Sequence, residues 1–349
     1  MASRVINVGN IALGGGNPIR VQSMTNTDTR NTEATVRQIN ELEAAGCEII
    51  RCAVPDEAAA SSLKIIKDKI NIPLVADIHF DYRLAIASME AGADCIRINP
   101  GNIGGYEKLK LVIDAAKACG SAIRVGINSG SLEKDILKEK GVTADALVES
   151  ALRSIRILYD MNFTNFKVSL KSSSVPMTIR AYELFAKEDD SPLHAGVTEA
   201  GTLFAGTVKS AAGIGAILAM GIGDTIRVSL TGDPKDEVKT GWQILSAMEL
   251  RRRCPEVISC PTCGRTEIDL IGLAEKVEKL LEQSKSEVSV AVMGCAVNGP
   301  GEAREADYGI AGGRKLGIIF KKGEVIKKVK EEELLQEFAQ VLKSDGIIE

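Results

Sequence analysis

Between Val21 and Leu250 the chain alternates short β-branched runs with longer amphipathic stretches, and the number of those runs decides what it can fold into. There are eight, centred on Gln22-Ser-Met, Ile49-Ile-Arg-Cys-Ala-Val54, Leu74-Val-Ala-Asp-Ile-His79, Cys95-Ile-Arg-Ile-Asn99, Ile123-Arg-Val-Gly-Ile-Asn128, Phe166-Lys-Val-Ser-Leu-Lys171, His194-Ala-Gly-Val-Thr-Glu199 and Ile226-Arg-Val-Ser-Leu230. Helical patterns lie between them, among them Thr32 to Ala45, Glu57 to Lys69, Ala144 to Tyr159 and Thr202 to Ala219. Eight βα units in about 230 residues fit a (β/α)8 barrel of the TIM type. An open doubly wound sheet is the alternative, but the Gly-x-Gly-x-x-Gly turn after a first strand is missing. Gly14-Gly15-Gly16 precedes the first run and reads as a turn or a small N-terminal hairpin.

After Leu250 the pattern changes. Arg251-Arg-Arg-Cys-Pro reads as the end of the last barrel helix, and residues 251–349 as a separate α+β domain after a barrel of residues 1–250. In that domain the spacing predicts a helix from about Glu267 to Gln283, a strand at Val288 to Met293, a hairpin over Gly317 to Ile326 and a last helix.

With 349 residues, 45% of them hydrophobic, the chain can bury a sizeable core. Its net charge of -4 argues against a general nucleic-acid or anionic-membrane binder, so any basic site must be local. No apolar run approaches a membrane span, and the opening residues lack the apolar region of a signal peptide. A cytoplasmic location follows as an expectation. There, eight cysteines imply metal ligands and core thiols in place of disulfides. Cys47, Cys52, Cys95 and Cys119 sit in apolar segments and are read as core packing.

The other informative cysteines are Cys260-Pro-Thr-Cys263 and Cys295-Ala-Val-Asn-Gly-Pro-Gly-Glu302. Cys-x-x-Cys sets two soft ligands on one turn, and a distant third suits tetrahedral zinc or an iron–sulfur cluster. Structural zinc wants four closed nitrogen or sulfur ligands, and neither His79 nor His194 is near these cysteines in sequence. A cluster held by three thiolates and one harder oxygen ligand would leave one iron available to a substrate.

In a barrel of this kind the active site lies at the carboxyl ends of the strands. Arg51, Arg97, Arg124, Lys167, Lys171 and Arg227 all fall within strand segments or at their ends. Strand parity puts Arg97 with Asn99, Arg124 with Asn128, Lys167 with Ser169 and Lys171, and Arg227 with Ser229. Buried unpaired cations are expensive, so an anion must neutralise them, and a diphosphate suits this many. Pairing with local carboxylates such as Asp77, Asp94 or Glu199 is the alternative for any one of them. Glu199 is read as ending the seventh strand at the depth of a catalytic acid/base, kept ionised by nearby cations. His79 could bind phosphate, carry a proton or simply pack.

At these residues the chain resembles the 4-hydroxy-3-methylbut-2-enyl diphosphate synthases, iron–sulfur enzymes of the non-mevalonate route to isoprenoids. The resemblance runs end to end, through Val21-Gln-Ser-Met-Thr-Asn-Thr, Ala76-Asp-Ile-His-Phe, Ile96-Arg-Ile-Asn-Pro-Gly-Asn, Arg124-Val-Gly-Ile-Asn-Ser-Gly-Ser-Leu, His194-Ala-Gly-Val-Thr-Glu-Ala-Gly, Ile258-Ser-Cys-Pro-Thr-Cys-Gly-Arg and Met293-Gly-Cys-Ala-Val-Asn-Gly-Pro-Gly-Glu. With no insertion before the last domain, it is similar to the short two-domain bacterial form. The resemblance implies a 4Fe-4S cluster on Cys260, Cys263, Cys295 and Glu302, and Glu199 as acid/base. It implies diphosphate binding by Arg51, His79, Arg97, Arg124, Asn128, Lys171 and Ser229, with Lys167 competing with Lys171 for that alignment. The implied reaction is a two-electron reductive ring opening of 2-C-methyl-D-erythritol 2,4-cyclodiphosphate with loss of the C3 hydroxyl as water. Electrons would come from flavodoxin or ferredoxin, and the working unit would be a head-to-tail homodimer. A binding module with structural zinc, and a radical enzyme, are the competing readings; the Cys-x3-Cys-x2-Cys run common in radical S-adenosylmethionine enzymes is absent.

Overall fold

The computed structural model describes residues 3–99, 102–282, 284–295, 304–313 and 315–349. The chain divides into two compact units, residues 1–251 and 252–349. In the first, a hairpin of β1 (Ile6–Val8) and β2 (Ile11–Leu13) precedes eight strands. These are β3 (Arg20–Met24), β4 (Ile49–Ala53), β5 (Leu74–Asp77), β6 (Cys95–Ile98), β7 (Ala122–Asn128), β8 (Phe166–Lys171), β9 (His194–Ala195) and β10 (Thr225–Ile226). They form one sheet in the order β8-β7-β6-β5-β4-β3-β10-β9, every pair parallel, and a parallel bridge between Val168 and Leu193 brings its two ends together. The TIM-type barrel expected from the eight runs is what the chain forms.

Helices α1 (Thr32–Ala45), α2 (Glu57–Lys67), α3 (Tyr82–Glu90), α4 (Tyr106–Cys119), α5 (Lys134–Lys140), α6 (Ala144–Asp160), α7 (Val175–Glu188), α8 (Leu203–Ala219) and α9 (Pro234–Ala247) lie between and after the strands. Their ends follow local chemistry. Asn31 caps α1 by accepting from the Ala34 amide, and Gly46 ends it in the left-handed conformation that a residue with a Cβ resists. In α6, capped by Thr143, the buried residues Leu147, Ala151, Ser154 and Leu158 recur every three or four positions and face the strands. Cutting Leu147 to alanine there would cost about 2–5 kcal/mol.

Alternate residues of each strand divide the barrel. Ile50, Cys52, Ala76, Ile96, Ile98, Ile123, Val125, Val168 and Leu170 belong to one large core with the helices. Ile49, Val75, Cys95 and Ala122, at the amino ends of their strands, instead pack on Ile6, Val8 and Leu13 of the hairpin, which plugs the barrel at that end.

Several boundaries move from expectation. β9 and β10 are only two residues long, so Glu199 and Ser229 lie in the loops beyond them. α9 stops at Ala247, not in Arg251-Arg-Arg-Cys-Pro, because Arg251 turns back to pair with Glu48 and stack over Trp242. Cys254 sits in a bend, half-buried. Cys47, Cys52 and Cys95 are buried as expected, but Cys119, the last residue of α4, is exposed.

The second unit has five strands, β11 (Glu256–Ser259), β12 (Ser289–Met293), β13 (Tyr308–Gly313), β14 (Leu316–Lys321) and β15 (Glu324–Lys330), paired in that order. β11, β12 and β13 run parallel; β14 and β15 return antiparallel. Helices α10 (Leu270–Leu281) and α11 (Leu334–Ser344) share one core with Val290, Val292, Ile310, Ile319 and Val329. β11 and β13 are the strands the sequence reading did not place; β13, Tyr-Gly-Ile-Ala-Gly-Gly, is glycine-rich and carries little strand signal.

Candidate functional site

The inward face of the barrel is cationic. Asp77, Arg97, Arg124 and Lys167 are successive register partners across β5, β6, β7 and β8, so all four side chains point to the same side. Asn128 is opposite Lys171 in the same ladder, and Arg51 is opposite Met24, whose sulfur lies 2.9 Å from Arg51 Nη2. Arg51, Arg97, Arg124, Lys167 and Lys171 are all buried. Two glycines make the space for this. A Cβ on Gly126 would come within 2.6 Å of Arg97 Nε, and one on Gly196 within 2.6 Å of Lys171 Nζ.

Two buried carboxylates face these cations among the described residues. Asp77 lies 3.4 Å from Arg97, 3.9 Å from Arg51 and 3.5 Å from His79 Nε2. Burial alone would raise its carboxyl, but Arg51, the His79 contact, Arg97 and Arg124 outweigh it and hold Asp77 ionised well below the usual range. Glu237, on α9, accepts Arg227 Nη2 at 3.2 Å on both oxygens, the Leu230 amide at 2.9 Å and the Ser23 hydroxyl at 3.3 Å. It thereby fixes the loop that carries Ser229. With its amide turned to satisfy both ends, Asn128 accepts from Arg97 Nη2 at 3.1 Å.

The rest of the positive charge is uncompensated by protein. Arg97 Nε, Arg124 Nε and Nη1, Lys167 Nζ and Arg227 Nε are buried without a hydrogen-bond partner among the described residues. Burial, then neighbouring cations, push Arg124 and Lys171 down from their ordinary values. Burial likewise pushes Lys167 down to about 8.

His79 and Ser229 stand nearer solvent, the histidine side chain 58% exposed and Ser229 half-buried. Glu199 departs from expectation. It is exposed, four residues past β9, with no carboxylate ion pair among the described residues, and its backbone adopts φ 52. A non-glycine residue held there is strained, and such strain clusters at functional positions. Lys209 Nζ reaches only its backbone oxygen, at 3.5 Å. Asp94 pairs with Lys67 and is not a counter-ion of the arginines. A cavity of about 340 Å³ lined by Glu188, Asp189, Asp190 and Asp224 lies at the amino ends of β9 and β10; its acidic wall suits no anion.

In the second unit Cys260 directly follows β11 and Cys295 lies two residues past β12, so these parallel neighbours deliver both to one edge of the sheet. The Gly294 amide donates to Cys260 Sγ at 3.3 Å. Cys263 occupies the exposed loop beyond; the Arg265 amide and then its charge lower the thiol's pKa, favouring thiolate. Among the described residues no three His, Cys, Asp or Glu side chains are gathered tightly enough to hold a single metal ion. In an iron–sulfur cluster each thiolate takes its own iron, so the donors need not converge on one point as tetrahedral zinc requires. Cys260, Cys263 and Cys295 are soft thiol donors, and neither histidine of the chain lies in this unit, a donor set that fits thiolate ligation of an iron–sulfur cluster. Glu302, the expected fourth ligand, lies outside the described residues.

Fold and site together define a (β/α)8-barrel protein with a cationic interior and an appended α+β domain that carries Cys260, Cys263 and Cys295 on loops at one end of its sheet. Residues 3–242 match the GcpE TIM-barrel domain and residues 256–344 the GcpE protein C-terminal domain, and the chain belongs to the GcpE family. It is 63% identical over 336 residues to a protein of Caldanaerobacter subterraneus subsp. tengcongensis named 4-hydroxy-3-methylbut-2-en-1-yl diphosphate synthase (flavodoxin), covering 96% of this chain and 95% of that one. A Clostridium acetobutylicum protein of the same name is 59% identical, covering 96% of each. Among solved structures, dihydropteroate synthase from Stenotrophomonas maltophilia (18% identity, TM-score 0.51, 71% of this chain and 98% of that one) shares the barrel fold. So does N-acetylneuraminic acid synthetase from Leptospira borgpetersenii (15% identity, TM-score 0.51, 80% and 96%). No helix among the described residues is long and apolar enough to cross a membrane.

Proposed function

We propose that this chain converts 2-C-methyl-D-erythritol 2,4-cyclodiphosphate to 4-hydroxy-3-methylbut-2-enyl diphosphate; its relatives are named as synthases of that product. The observation that carries this reading is the set of buried, unpartnered guanidinium and ammonium atoms inside the barrel, which calls for a ligand with more negative charge than one monophosphate. Arg51, Arg97, Arg124 and Lys171 hold the diphosphate, with His79, Asn128 and Ser229 at its edges. Asp77 and Glu237 keep the guanidiniums aimed when the chamber is empty.

Glu199, in its strained turn beyond β9, carries the proton associated with departure of the C3 hydroxyl as water. Its exposure in this structure suits a group that meets substrate from the rim. Cys260, Cys263 and Cys295, with Glu302, would hold a 4Fe-4S cluster, which when bound would relay the reaction's two electrons one at a time from an external donor. The word flavodoxin in the relatives' names supports a flavodoxin as donor, with ferredoxin as the alternative. The reaction belongs in the cytoplasm. A head-to-tail homodimer is part of this reading; Leu203, Phe204 and Val208 of α8, 51%, 83% and 56% exposed, offer apolar surface that a second copy could cover.

Anaerobically purified protein should be brown, contain iron and sulfide, and release the linear diphosphate from the cyclodiphosphate with reduced flavodoxin. Colourless protein with stoichiometric zinc, or cluster-loaded protein that leaves the cyclodiphosphate intact, would overturn the assignment.

A further inference from the structure

The five-stranded sheet of the second unit has two unlike faces. Val290, Val292, Ile310, Ile319 and Val329 point to the side that α10 and α11 cover. Ala291, Met293, Ala311, Phe320 and the half-buried Ile318 form a smaller cluster with Cys260 on the other. Strand register sorts the lysines of β14 and β15 between these faces. Lys327 is opposite Ile319, on the helix-covered side, and pairs with Glu337 of α11. Lys321, next to Phe320, lies on that side too and pairs with Asp345 at 2.8 Å. Lys328 is opposite Ile318 and Lys330 opposite Leu316, so both lie on the other face. They are exposed, and neither has a carboxylate partner among the described residues. Leu316, 60% exposed, and Val325, opposite Phe320 and 49% exposed, add apolar surface beside them. The turn that follows, Glu331–Glu333, carries the chain to the helix-covered side, where Leu334 packs over Gly317.

This strip lies at the end of the sheet that bears the cysteines. Cys260 and Cys295 follow β11 and β12, and Gly313 ends the parallel β13 at the same end; Leu316 pairs with Gly313, and Lys330 with Leu316. At the spacing of neighbouring strands, β14 lies roughly 10 Å and β15 roughly 14 Å from β12. Lys315, exposed in the turn between β13 and β14, adds a further positive charge there. It holds a left-handed backbone, φ 64, where glycine or asparagine ordinarily sits. Lysines on an edge strand such as β15 guard against pairing with another chain. That role accounts for the charge but not for the leucine and valine laid open beside it.

We propose that this strip, Lys315, Leu316, Lys328 and Lys330 with Val325, is the docking surface for an acidic flavodoxin that reduces the protein. The inference rests on the reading that a flavodoxin is the donor. A carrier that must bind and leave in every cycle needs only a small interface, with charge to speed and orient the encounter and a few apolar side chains to exclude water. A second copy of the chain placed here about a two-fold axis would set lysines against lysines.

Calorimetric titration of the full chain with oxidised flavodoxin, at low and at high salt, tests it. The parent should bind, more weakly at high salt. The double variant Lys328→Glu, Lys330→Glu should bind at least about tenfold more weakly than the parent at low salt, whereas Lys327→Gln, on the opposite face of the same strand, should bind as the parent does. In turnover, the double variant should show a KM for flavodoxin raised by a similar factor and a parent-like rate with reduced methyl viologen, a small reductant that needs no docking surface. Parent-like flavodoxin affinity in the double variant, or an equal loss in Lys327→Gln, overturns the surface. So does a changed oligomeric state of the double variant in sedimentation, which assigns the face to a second copy. A parent that binds no flavodoxin yet turns over with methyl viologen overturns the surface and leaves the proposed activity standing. Flavodoxin binding that depends on these lysines, in a cluster-loaded protein that turns over with neither reductant, supports the surface and overturns the activity.

Discussion

Asp77→Asn removes the buried negative charge on which Arg51, Arg97 and His79 converge. The asparagine oxygen can still accept a hydrogen bond, but two buried guanidiniums lose their counter-charge. Breaking a buried ion pair from one side costs roughly 3–5 kcal/mol, and the retained acceptor puts this variant near the lower end, at about 3 kcal/mol. For a barrel of this size each kcal/mol moves the melting temperature by about 2–4 °C, so a fall of roughly 6–12 °C is expected. The pH dependence has a definite sign. Asp77 is held below its unfolded value, so its contribution is present above the unfolded pKa near ~3.9 and lost as pH falls through the folded one. The gap between parent and variant should therefore stay flat from about pH 5 to about pH 8 and close only in acid. Pyrophosphate should narrow it by restoring negative charge to the chamber. Scanning calorimetry across that range reads all three effects. Equal melting temperatures at neutral pH, or a gap that widens steadily through the neutral range, would refute the counter-ion role.

Lys167 titrates at about 8 in the fold against about 10.4 unfolded, so between those values the unfolded chain binds more protons and stability should rise with pH, by at most about 1.4 kcal/mol per unit; Lys167→Met should lack that rise in a pH series of melts. Glu237→Gln frees Arg227 and the Ser229 loop, so KM should rise about tenfold or more with iron content unchanged; a parent-like KM would count against its positioning role. Cys295→Ser should strip iron while Cys254→Ser retains it, and iron analysis showing the reverse would sink the ligand assignment. Glu199→Gln should bind substrate and cluster normally yet turn over on the order of 100-fold more slowly, a result that parent-like kcat would contradict.

The barrel was legible because each strand has an apolar side toward the helices, and runs such as Ile123-Arg-Val-Gly-Ile show both sides at once: isoleucine and valine outward, arginine inward. The cations were legible by the same parity. Their counter-ions were less so. Glu237 lies on a helix, ten residues past Arg227, where a glutamate ordinarily reads as solvated surface. Gly126 and Gly196 carry no signal of their own, since the need for an absent Cβ depends on where Arg97 and Lys171 end up in space. Glu199 was misplaced by about a turn of loop because β9 stops at Ala195 and the left-handed bend that follows is a tertiary constraint. In the second unit the alternation of Leu316–Lys321 marked a hairpin, whereas β13 needs Phe320 lying across Gly309 to make sense of its glycines.

The hairpin of Ile6, Val8 and Leu13 makes the barrel blind at its amino end. Whatever enters the chamber must leave by the door it came in, and so must the water displaced on entry. Substrate, product and solvent therefore take turns. Anything that shuts the carboxyl-side opening during the reaction has to lift away once per cycle, which places traffic through a single entrance among the steps that can set the pace of the enzyme.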